Sequence, residues 1–173
     1  ETIEPAPEYF PRVHSIHGQP RQPIDQSLPN DLHLQWVRKL PTPRAAWPAS
    51  QTKLQFDAIC HPIIVGKLMI VGSTTNDSLT AFDTETGAEV WRFYTDGPIR
   101  FAPAAHRDNV YAASDDGNLY CLEAATGKLI RKIAGGPYER RIIGNDRVIS
   151  TWPIRGGPVI ADDTVYFTAG IWP

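Results

Sequence analysis

Cysteine and methionine are scarce: the 173 residues hold two cysteines and one methionine. Two cysteines cannot frame a disulfide scaffold. Cys60 and Cys121 both fall in apolar runs that read as buried strands, where a thiol behaves as a small apolar side chain. Long hydrophobic runs are missing too. None approaches the roughly 20 residues that a membrane-crossing helix needs. Neither sign of charge dominates, since 17 Lys and Arg against 19 Asp and Glu leave −2. That balance argues against a global nucleic-acid footprint and leaves a local patch open. HExxH, P-loop, GxSxG and CxxC motifs are all absent, which removes the best-marked hydrolase, nucleotide and redox chemistries. The chain begins at Glu1 with no signal-like segment, as expected of a processed mature chain or a trimmed one.

What is abundant is punctuation. Thirteen glycines and sixteen prolines interrupt the chain so often that no apolar stripe of helical period survives. The clearest pattern runs from Pro103 to Ile133. Four apolar runs are separated by turn signals at His106–Asn109, Asp115–Asn118 and Ala125–Gly127. Asp-Gly and Thr-Gly between β-rich runs mark hairpins, because glycine accepts the positive φ of tight turns. The segment therefore predicts a four-stranded antiparallel meander of about forty residues, the size of one propeller blade. Pro62–Tyr94 repeats it: Leu79 and Leu119 are 40 apart, as are Gly87 and Gly127. A third copy opens at Pro158 and stops after two strands. The fold class expected is all-β, about two and a half blades of a larger β-propeller. A complete propeller has roughly four to eight blades, so the chain reads as a fragment of something longer.

Leu119-Tyr-Cys-Leu-Glu-Ala-Ala-Thr-Gly-Lys128 and Leu79-Thr-Ala-Phe-Asp-Thr-Glu-Thr-Gly-Ala88 resemble the repeat of pyrroloquinoline-quinone (PQQ)-type β-propellers. That family includes quinoprotein dehydrogenases and the propeller lipoprotein of outer-membrane assembly. The resemblance covers residue 31 to the C-terminus and implies the fold more strongly than any function. It places Trp91 at a docking position between blades, with Trp36 matching it upstream and Arg131 standing there in the second copy. It also implies a secreted or periplasmic location in a bacterial cell envelope. Quinoprotein dehydrogenases carry adjacent cysteines, which this chain lacks, so no catalytic residue carries over.

The domain reading follows. Residues 1–30, with six of the sixteen prolines, form an extended arm; His14 and His17 there read as solvated rather than as metal ligands. Residues 31–40 supply a closing strand that completes another blade. Residues 54–97 form a blade, with its innermost strand in Leu54–Val65, and 98–133 a second. Pro62 to Pro103 is 41 residues and Pro103 to Pro158 is 55, so an insertion occupies 134–157. Residues 158–173 begin the next blade.

The insertion, Thr74–Asp77 and Asp115–Asn118 fall on one face of a propeller, beside the central channel. Arg100 and Arg155 each follow Pro-Ile and stand three residues before their unit's proline. Arg141 and Arg147 extend that rim, and Asp57 and His61 lie near the equivalent place in the first blade. Two readings stay open. The arginines form a fork of donors for a carboxylate or phosphate, or they are struts tying blades together. Asp115–Asn118 and Asp162-Asp163 read as tight turns rather than calcium loops. Trp36, Trp91, Gly87 and Gly127 are expected to be structural.

The function expected is a non-catalytic, exported propeller that binds or scaffolds proteins, without a cofactor or metal. The alternatives are part of a PQQ-dependent oxidoreductase, with calcium, and an anion- or glycan-binding propeller. Partners expected are a protein, the remaining blades or a small anion, with no nucleic acid and no membrane span.

Overall fold

The computed structural model describes residues 33–51, 57 and 60–170. The proline-rich arm of residues 1–30, residues 52–56 and 58–59 before the first blade, and residues 171–173 lie outside the described residues.

Among the described residues there is no helix, and twelve strands fall into four sheets. β1 (Ile63–Val65), β2 (Leu68–Gly72), β3 (Ser78–Asp83) and β4 (Glu89–Tyr94) form one antiparallel meander in chain order. β5 (Ala104–His106), β6 (Asn109–Ala113), β7 (Asn118–Glu123) and β8 (Leu129–Ala134) form the second. Two hairpins follow, β9 (Arg141–Gly144) with β10 (Arg147–Ser150), and β11 (Val159–Ala161) with β12 (Thr164–Tyr166). The predicted β-propeller blades are thus present as four-stranded antiparallel sheets.

Of the innermost strand expected over Leu54–Val65, residues 54–56 and 58–59 lie outside the described residues, and the described strand runs Ile63–Val65. β1, β5 and β11 each start directly after a proline, Pro62, Pro103 or Pro158, because proline offers no N–H to the ladder. Cys60 consequently sits ahead of the strand and only half-buried, and both thiols are free.

The two blades share a defect as well as a plan. Ladder register shifts between Ala81 and Phe82 in the first and between Cys121 and Leu122 in the second. The extra residues, Val90 and Ile130, project to solvent at 50% and 54% exposure. A bulge at the same repeat position re-aims the outer strand. It leaves Trp91 opposite Ala81 and facing inward in one blade, and Arg131 opposite Cys121 in the other.

The main core lies between the sheets. Ile70, Leu79 and Trp91 from the first blade meet Ile99, Val110 and Leu122 from the second. The nearly continuous apolar runs of β3 and β7 follow from this, since each strand is covered on both faces.

Residues 33–40 are not the strand that the sequence predicts. A fourth strand needs a third beside it, and the described residues supply none. The segment is instead pinned to the first blade by side chains. Gln35 Nε2 donates to the Glu85 carbonyl at 2.7 Å, Trp36 Nε1 to the Thr84 carbonyl at 2.9 Å and Arg38 Nε to the Gly87 carbonyl at 2.7 Å.

Candidate functional site

The candidate site grows out of two equivalent crossings from one sheet to the next. At the first, Ile99 N donates to the Ser73 carbonyl at 3.1 Å and the Pro98 carbonyl accepts from Asp115 N at 2.9 Å. At the second, Ile154 N donates to the Ser114 carbonyl at 3.1 Å and the Pro153 carbonyl accepts from Gly170 N at 3.0 Å. Pro98, Ile99, Pro153 and Ile154 are all buried. The repeated Pro-Ile-Arg sequence thus fixes the backbone and delivers each arginine to the same end of its blade.

Arg100 is buried. Its Nε donates to Asp115 Oδ2 at 2.6 Å, and its Nη1 donates to Asp57 Oδ2 at 2.5 Å and to the Arg44 carbonyl at 2.7 Å. Asp57 Oδ2 also accepts from Ala46 N at 2.9 Å. Arg155 reaches the far side of Asp115, with Nη2 3.2 Å from Oδ2 and Nε 3.3 Å from Oδ1. Its guanidinium lies 5.5 Å from the centroid of the Trp47 ring. Two cations and two anions therefore form one buried, charge-balanced chain that joins residues from three repeat units.

The outer part of the rim is paired too. Arg147 Nη2 meets Asp77 Oδ2, and its Nη1 donates to the Thr75 carbonyl at 3.3 Å. Loss of solvent pushes the Asp77 carboxyl above the usual carboxylate range, and the nearby Arg147 charge only partly opposes it. Arg141 is exposed, 3.9 Å from Asp96, which Lys132 approaches at 3.4 Å. His61 stands partly exposed ahead of β1.

Arg100, Arg155 and Asp57 are thus brought together, Arg147 and Arg141 stand further out, and the donors expected to face a channel face carboxylates instead. The residue that sequence reasoning missed is Asp115. It reads as part of an Asp-Gly turn, and Gly117 does turn there with φ +88°, yet its side chain is the hub of the network. A signal was available, because the first blade has Ser73-Thr74 where the second has Ser114-Asp115. An acid replacing a threonine one residue into a repeated turn, in the unit preceded by Arg100, marks a buried pair. Trp47 and Arg44 carried no such signal.

The four structural residues work in two matched pairs. Trp91 Nε1 donates to the Ala124 carbonyl at 2.9 Å, and a Cβ on Gly127 would stand 2.5 Å from the indole. Trp36 Nε1 donates to Thr84, and a Cβ on Gly87 would stand 2.7 Å from its indole. Both glycines hold positive φ, +68° and +70°, so the Thr-Gly turn needs glycine for its backbone and for its neighbour.

A family profile described as outer membrane protein assembly factor BamB matches residues 34–130, more than half of the chain. The chain belongs to the PQQ-like propeller-repeat family. Among solved structures, BamB from Moraxella catarrhalis superimposes with a TM-score of 0.50 at 22% identity, over 62% of this chain and 29% of that one. The quinohemoprotein alcohol dehydrogenase ADHIIG from Pseudomonas putida HK5 gives 0.53 at 19% identity, over 63% and 16%. Its counterpart from Comamonas testosteroni gives 0.51 at 22%, over 63% and 16%. These likenesses show the propeller fold. No curated protein matches the chain. The chain thus spans under a third of the length of the structures it resembles. No helix among the described residues is long and apolar enough to cross a membrane.

The residues at the mouth do not fit an anionic quinone. The strong donors, Arg100 and Arg155, are already held by Asp57 and Asp115. A second anion there would face two buried carboxylates. Among the described residues no cluster of His, Cys, Asp or Glu has the arrangement of a metal site.

Proposed function

We propose that this chain is part of a non-catalytic propeller that is exported to the cell envelope and binds other proteins. The observation that carries the reading is the convergence of Arg100 and Arg155 on the buried Asp115. It makes the arginines internal ties, and it leaves binding to the outer surfaces of the blades and hairpins. Those surfaces expose apolar side chains in numbers, among them Val90, Tyr94, Ile143, Val159 and Tyr166, and exposed apolar patches mark interaction sites. Membership of a family whose profile is described as an assembly factor fits the same reading. The alternatives, a PQQ-dependent oxidoreductase and an anion- or glycan-binding propeller, both need free donors at the mouth.

The test is site-specific photo-crosslinking in the source cell, with the photoreactive residue placed in turn at Val90, Ile143 and Tyr166. The proposal expects discrete protein adducts from at least one position. Adducts from none, with the protein folded and present in the envelope fraction, would remove it.

A further inference from the structure

The repeat does not require the β9–β10 hairpin. The first blade passes to the second without one, whereas the longer connection after the second blade folds back on itself. The hairpin is firmly held on its inner side. Ile149 is buried, Asn145 Nδ2 donates to the Ala45 carbonyl at 3.0 Å, and Tyr138 meets Trp152 edge to face at 5.8 Å. The outer side is bare. Ile143 is 82% exposed and Val148 53%, and the two are directly paired across the strands.

The edges of the hairpin differ. Asn145 and Asp146, both at positive φ, make a two-residue turn, so Gly144 and Arg147 exchange both backbone bonds. Alternation then turns the N–H and C=O of Arg141 and Ile143 away from β10. It turns those of Val148 and Ser150 away from β9, and there the Asp115 carbonyl accepts from Ser150 N at 2.8 Å. β9 ends its sheet, with no strand beyond it among the described residues. Two exposed arginines sit at its start. Arg140 meets no carboxylate among the described residues, and Arg141 comes no nearer one than 3.9 Å. Glu139 is the one acid in the stretch from 138 to 144.

A strand with outward-facing backbone groups, an apolar pair on its open face and an exposed, weakly paired Arg140-Arg141 at one end matches one mode of recognition, the addition of a strand to a sheet edge. We propose that β9 accepts an extended segment of a partner protein in which apolar and acidic side chains alternate. Its backbone pairs with Arg141 and Ile143, its apolar side chains lie beside Ile143 and extend the Ile143–Val148 patch, and its carboxylates, on the opposite face, meet Arg140. This assignment rests on the protein-binding reading above.

The probe is a fluorescent peptide of alternating valine and aspartate, about ten residues long, with a lysine-for-aspartate peptide as control. Both are titrated against the full 173-residue chain by anisotropy. The aspartate peptide should bind and the lysine peptide should not, and binding should weaken as salt is raised. Ile143→Pro removes one outward N–H and leaves the inner ladder bonds, and it should weaken binding about tenfold or more. Arg140→Glu with Arg141→Glu should do the same. If the proline variant fails to fold, Ile143→Asp carries the test, since the side chain is already in water. Equal affinity for both peptides, or binding that none of these variants weakens, would overturn the assignment. Crosslinked adducts from Val90 or Tyr166, with a peptide indifferent to β9, would leave the protein-binding reading standing while this one fell.

Discussion

Trp91 covers Gly127 of the next blade so closely that a single methyl group on the glycine would stand 2.5 Å from the indole. Its Nε1 is simultaneously satisfied by the Ala124 carbonyl at 2.9 Å. The docking is therefore both apolar and directional, and it joins two units that are otherwise separate sheets. Trp91→Ala should destabilise the fold by about 3–5 kcal/mol, read from chemical denaturation. A loss below about 1 kcal/mol would contradict a docking role. Gly127→Ala should be damaging alone, and less so in the Trp91→Ala background. The coupling should exceed about 0.5 kcal/mol, because part of its cost is the clash with the indole.

Arg100→Gln should cost about 3–5 kcal/mol, because it strands Asp57 and half-strands Asp115, both buried. Asp115→Asn should be destabilising for the mirror-image reason. Removing both together should cost less than the sum of the two. A denaturation midpoint for Arg100→Gln indistinguishable from that of the unaltered protein would mean that the network is not a tie.

Asp77 gives a pH dependence of opposite sense to the usual surface carboxylate. Its folded pKa is raised, chiefly by desolvation, so the folded protein holds this proton more tightly than the unfolded chain does. Its contribution to stability therefore falls as pH rises through the range just above the ordinary carboxylate value. Asp77→Asn removes the titration and suits the left-handed backbone, φ +52°. The stability of the variant relative to the parent should increase between about pH 3 and about pH 7. A difference that shrinks over that range would show Arg147 to be the stronger influence.

The repeat was legible because its punctuation is local. Asp-Gly and Thr-Gly turns, the prolines before β1, β5 and β11 and the spacing of Leu79 and Leu119 each act within a few residues of where they stand. The Pro-Ile-Arg pair was legible for the same reason. What Arg100 binds was harder to read, because Asp57 lies 43 residues away and Asp115 fifteen, and a turn motif by itself gives no sign of where its first side chain points; only the comparison of Ser114-Asp115 with Ser73-Thr74 does. The segment from 33 to 40 has a strand-like pattern ending near Trp36, and pattern alone cannot say whether a neighbouring strand exists to pair with it. The hairpin in the insertion was hidden because β9 and β10 are four residues each, joined by Asn-Asp rather than a glycine turn.

The central claim is that Arg100, Asp57, Asp115 and Arg155 close the mouth on one another, which supports the proposal of a binding module over that of a quinone enzyme. The measurement that tests it most directly is a titration of the 173-residue chain with PQQ and calcium. It is followed by quenching of tryptophan fluorescence, with alcohol-dependent dye reduction assayed in the same samples. The account predicts no saturable quenching and no dye reduction above a protein-free control. Saturable binding that Arg100→Gln or Arg155→Gln abolishes, accompanied by turnover, would contradict it.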